Sequence, residues 1–138
     1  MTIERTSTDA AQASIPDAAR DRDLVEAAER AEAALADLAD AAKGPLYDPH
    51  TLFRALSRLD GAAISLTAAV GSLKDRLNAA DAAGLLDTED EDPAEAGRMR
   101  WNAAGELWKA ARAAEELRCC LRDASEYTAA FKRRGGAS

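Results

Sequence analysis

Leu52, Leu56, Leu59, Ala63, Leu66, Val70, Leu73, Leu77 and Ala80 follow one another in alternating steps of four and three residues without a miss. That spacing keeps returning to one side of an α-helix, whereas strand side chains change face at every residue. The pattern predicts a long helix over 49–80 with a leucine seam. Ala55, Ala62 and Ala69 flank the seam at seven-residue intervals, so a second helix can approach closely on that side. The helix start is marked as well. Asp48 is a good N-cap, and Pro49 suits the first helical position, where its missing N–H has no partner to lose.

The same signals bracket two more helices. Leu24, Ala28, Ala31, Leu35, Leu38 and Ala42 step by four and three, predicting a helix over 16–43 that Gly44-Pro45 closes. Asp17, Asp21 and Asp23 lie near its positive end after Pro16, and Lys43 near its negative end. Asp92-Pro93 repeats the start signal, and Leu107, Ala110, Ala114, Leu117, Leu121, Ala124, Thr128 and Phe131 form the seam of a third helix over 93–134. Short connections make consecutive helices antiparallel neighbours. The expected fold is therefore all-α, an antiparallel up-down-up three-helix bundle over 15–134 with long helices, the third the longest. At 1.5 Å per residue the second helix spans about 48 Å and the third about 60 Å, so the turns carrying Tyr127, Thr128 and Phe131 are expected to overhang. Residues 1–14, with Ile3 as their one sizeable apolar group, read as a disordered or loosely attached arm, and 135–138 as a flexible tail. Residues 81–92 include Asp87-Thr88-Glu89-Asp90-Glu91-Asp92 and read as a solvated acidic loop.

Composition narrows the function classes. The chain has 138 residues, enough for one domain, and a net charge of −7. Its hydrophobic content of 47% is generous only on paper, since about a quarter of all residues are alanine. Such a chain builds narrow helix contacts and has too few β-branched residues for a sheet. No apolar run is long enough for a membrane span, and Met1-Thr2-Ile3-Glu4-Arg5 does not resemble a secretory leader, so the expected setting is cytoplasmic and no membrane partner is expected. Cys119 and Cys120 are neighbours that cannot easily bridge each other on a helix, and they read as reduced small residues. The bias to Ala, Arg, Asp and Gly suits a GC-rich bacterial or phage genome.

Catalytic signatures are missing. His50 is the single histidine and falls in the first turn of the second helix, far from both cysteines. Gly61, Gly71, Gly97 and Gly105 are scattered singly and build no phosphate loop. Glu26, Glu29 and Glu32 form a series on the first helix, but Glu26 and Glu29 point largely away from its seam. The second helix offers only Asp60 and Asp75, neither on its own seam, so no carboxylate metal centre is expected. The reading is not an enzyme, with no catalytic residue, metal, cofactor or small-molecule substrate.

The third helix carries what remains. Trp101 and Trp108 stand one heptad apart, about 100° round the helix from Leu107. They either fill one end of the bundle or anchor a partner, since tryptophan is enriched at interface anchors. Residues 17–43 hold eight acids and four bases, and residues 96–134 nine bases and five acids. Arg118 and Arg122 lie one turn apart, and Lys132, Arg133 and Arg134 end the helix. Nucleic acid is the minor alternative there, because the aromatic-interleaved groove of single-strand binders is missing. The expectation is a non-catalytic interaction protein, a small adaptor, regulator or assembly factor that self-associates or holds a protein partner. The candidate surface is Trp101, Trp108, Tyr127, Phe131, Arg118, Arg122, Lys132, Arg133 and Arg134. The alternative is a phage- or plasmid-encoded accessory or inhibitor docking onto a nucleic-acid-processing machine.

Overall fold

The computed structural model describes residues 2–86 and 92–131, with side chains from residue 19 onward. The chain is all-α: three long helices, α1 (Thr2–Ala41), α2 (Pro49–Ala82) and α3 (Pro93–Thr128), and no strand among the described residues. They divide between two units, Met1–Pro45 and Leu46–Ser138.

In the first unit, α1 begins at Thr2, well before the start expected at Pro16. Its sequence before that proline holds no glycine or other proline to stop a helix. It is 40 residues long, against 34 for α2 and 36 for α3, so α3 is the longer of the second unit's helices and α1 exceeds both. At its other end Lys43 pairs with Asp40 across 3.0 Å, an exposed contact of little energetic weight.

In the second unit α2 and α3 form an antiparallel hairpin. Both starts use the chemistry read from the sequence. The carboxylates of Asp48 and Asp92 each accept from the N–H two residues on, His50 and Ala94, at 3.0 Å, with proline in the first turn. α2 ends in a Schellman arrangement. Leu85 N–H donates to the carbonyl of Ala80 and Gly84 N–H to that of Asp81, with Gly84 at φ 71°, a conformation that glycine adopts freely. Residues 87–91 of the expected acidic loop lie outside the described residues.

Two sets of contacts fix how the helices align. Near the turn, Arg100 on α3 lies 2.7 Å from a carboxylate oxygen of Asp81, an ion pair, and donates to Asn78 at 3.3 Å. Near the open end, the hydroxyls of Ser57 and Ser125 share a hydrogen bond of 2.8 Å, and Thr128 donates to the carbonyl of Ser125. Facing residue numbers therefore add to about 180 along the hairpin. α3 ends at Thr128, earlier than the expected Arg134, with Ala129 N–H donating back to Ser125. Among the described residues no overhang forms at this end: Thr128 is buried rather than projecting, and Phe131 lies in a turn beyond the helix.

The helices touch along two columns each. On α2 these are Leu56, Ala63, Val70 and Leu77, beside Phe53, Asp60, Thr67, Lys74 and Asp81. On α3 they are Leu107, Ala114, Leu121 and Thr128, beside Ala104, Ala111, Arg118 and Ser125. All of these are buried or half-buried, and Ala63 and Ala114 are the two buried apolar residues among those described. Small side chains at the middle let the helices approach closely. Most of the seam expected on α2 and α3 is thus buried or half-buried, and Leu66, Leu73, Ala110, Leu117 and Phe131 are its exposed members.

Candidate interaction surface

On both helices the exposed helical members of the seam fall in the column one residue back from the polar contact column. On α2 it is Leu52, Leu59, Leu66, Leu73 and Ala80, with Leu66 half exposed, Leu73 over a third, and Leu52, Leu59 and Ala80 half-buried. On α3 it is Ala103, Ala110, Leu117 and Ala124, with Leu117 half exposed and Ala124 half-buried. The helices run antiparallel, so these corresponding flanks fall on the same face of the hairpin. One column further out lie Ala55, Ala62, Ala69 and Arg76 on α2, and Met99, Glu106, Ala113, Cys120 and Tyr127 on α3, all exposed. The result is one continuous apolar face along the hairpin. Arg76 and Glu106 are its two charged residues.

The residues singled out on sequence grounds divide between this face and others. Tyr127, 76% exposed, belongs to it, and Phe131, 60% exposed, lies in the turn just past the end of α3. Trp101 and Trp108, 72% and 51% exposed, stand on the opposite flank of α3. They do not fill a bundle end within the hairpin, and Arg112 lies over the ring of Trp108 at 5.0 Å, a cation–π contact. Arg118 sits in the hairpin contact instead of on an open surface. Its Nε and Nη2 hold the Glu115 carboxylate at 2.7–3.1 Å. That hydrogen bonding lowers the Glu115 carboxyl below the usual glutamate range and pushes the Arg118 guanidinium further up, with the charge of Asp60 a lesser contributor to Arg118. Arg122 is exposed and 3.8 Å from Asp123. Lys132, Arg133 and Arg134 lie outside the described residues.

Sequence reasoning missed the open face as a single surface. The signal was present, because the apolar arc of α2, from Ala62 through Leu66 and Leu59 to Ala63, is wider than one helix contact covers. It also missed the polar side chains inside the contact. Asp60 is the telling case: its Oδ1 is buried and has no hydrogen-bond partner.

His50 lies against Phe53, with ring centroids 5.6 Å apart, in the first turn of α2. Cys119 is half-buried, Cys120 exposed, and both are free thiols. Among the described residues no three metal-ligating side chains cluster, and no helix is long and apolar enough to cross a membrane. Compared with protein-family models, curated proteins and solved structures, the chain matches none of them.

Proposed function

We propose that this chain is a helical interaction protein that works by burying apolar helix faces against other protein, and that it self-associates. The observation that carries the reading is the continuous apolar face of the α2–α3 hairpin, with Leu66 and Leu117 half exposed at its centre. Proteins seldom leave so long an apolar surface in water without a partner for it. A hairpin with two buried alanines also has little core of its own, which favours further burial between protein surfaces.

Trp101 and Trp108 project from the other flank. In this reading they serve a separate protein partner, with Arg112 holding the Trp108 ring in place.

Multi-angle light scattering at micromolar concentration tests the self-association, with a dimer or larger assembly expected. A Tyr127→Asp, Phe131→Asp double variant shifts the assembly towards monomer while its far-ultraviolet circular dichroism stays helical. A wild type that remains monomeric at every concentration refutes self-association.

A further inference from the structure

We infer that a second copy of this chain covers the open hairpin face, related by a two-fold axis parallel to the hairpin, so that α2 of each copy lies on α3 of the other. The inference rests on the self-association proposed above and specifies its geometry.

The size of the face is right for a second copy. The exposed parts of Leu66, Leu73, Met99, Leu117 and Tyr127 amount to on the order of 550 Å² per copy, and the exposed alanines Ala55, Ala62, Ala69, Ala103, Ala110 and Ala113 bring the face near the ~800 Å² per partner of a standard interface.

The choice of axis follows from which side chains share a level. With facing numbers adding to about 180, Leu59 is level with Ala124, Leu66 with Leu117, and Leu73 with Ala110. The face is therefore asymmetric across its width, with leucines on α2 and mostly alanines on α3. A two-fold axis perpendicular to the helices, lying in the interface, puts α2 on α2 and α3 on α3. Leucine then meets leucine on one side and alanine meets alanine on the other, and no single spacing closes both. An axis parallel to the helices keeps every level and exchanges the sides. Leu59 then meets Ala124 of the second copy, Leu73 meets Ala110, and the Leu66 and Leu117 pairs form one four-leucine layer. Large against small is the packing that interdigitates.

Charge selects the same axis. Arg76 and Glu106 share a level on opposite outer edges of the face. Only exchange of the sides sets each Arg76 beside a Glu106 of the second copy, twice per dimer. The present Glu106 contact, to Lys109 at 3.1 Å, is exposed on both sides and easily given up.

Cys120 makes the geometry testable in the full-length protein. It shares a level with Ala62 on the opposite outer edge, so within one chain two helix widths separate them, beyond the ~7 Å reach of a disulfide. Across the proposed interface the two positions are adjacent. An Ala62→Cys variant under mild oxidation should run as a covalent dimer on a non-reducing gel. Wild type and an Ala62→Cys, Cys120→Ser variant should not. Arg76→Glu and Glu106→Arg should each weaken the dimer several-fold in sedimentation equilibrium, and the double reversal should restore it.

A dimer that shows neither the bridge nor the charge rescue overturns this geometry and leaves the self-association standing. A bridge formed instead by Leu66→Cys between identical positions assigns the face to the perpendicular axis and also overturns it. A wild type that stays monomeric overturns both.

Discussion

Asp60 places a carboxylate in the contact between α2 and α3 with one oxygen buried and unpaired. Replacing it with leucine should stabilise the hairpin. Removing an unsatisfied buried oxygen recovers about 1–3 kcal/mol. A half-buried leucine in its place adds about 1 kcal/mol of apolar burial. Against these stands the lost attraction between Asp60 and Arg118, which is small because Arg118 already holds Glu115 through three hydrogen bonds. The net expectation is a gain of about 1–3 kcal/mol, or a rise in Tm of roughly 5–15 °C for a unit of this size. Urea unfolding followed by circular dichroism measures it, at several protein concentrations so that any change in association is separated from folding. A midpoint that falls would refute the reasoning and show that the Asp60–Arg118 attraction outweighs the orphaned oxygen.

Ala114→Leu should cost about 1–3 kcal/mol by overfilling the buried position of Ala114 between the helices, and a thermal melt checks it. Asp92→Ala should cost about 1 kcal/mol through the lost N-cap, read in the same melt, whereas Asp92→Asn should cost little. Glu115 should titrate below an ordinary glutamate in a carbon-detected nuclear magnetic resonance titration and return towards the ordinary value in Arg118→Ala. Its folded value is the lower one, so the stability it adds is present above the unfolded value and lost as pH falls through the folded one.

The helices were legible because their periodicity and capping are local. Asp48-Pro49, Asp92-Pro93 and the three-four stepping of α2 place both hairpin helices and the start of each. Two things were less visible. The end of α3 at Thr128 falls before any helix-breaking residue, and Gly135-Gly136 pointed further along the chain. The partner-facing side of each helix was hidden for a different reason. A hydrophobic seam marks the middle of everything a helix buries, whereas α2 and α3 meet along the edge of theirs. Leu56 and Ala63 go inside with Asp60 and Thr67, and Leu66, the centre of the seam by pattern, stays half exposed. The open face, and with it the candidate site, is what that offset leaves behind.

The two polar clamps of the hairpin bear on how this protein tolerates change in length. Between Ser57–Ser125 and Arg100–Asp81 the inner apolar columns, Ala63, Val70 and Leu77 on α2 and Leu107, Ala114 and Leu121 on α3, repeat at seven-residue intervals. Slipping α3 by one heptad would set similar side chains against similar side chains, so apolar packing alone discriminates poorly between alignments. The clamps do discriminate, because a slip separates both at once and strands the buried hydroxyl of Ser125. They act as the two ends of a ruler, and the stretch between them is free to be a repeat. Seven residues added to α2 and seven to α3, both between the clamps, should give a hairpin about 10 Å longer with the same alignment and the same apolar face. Seven added to one helix alone should break one clamp and lose cooperative unfolding.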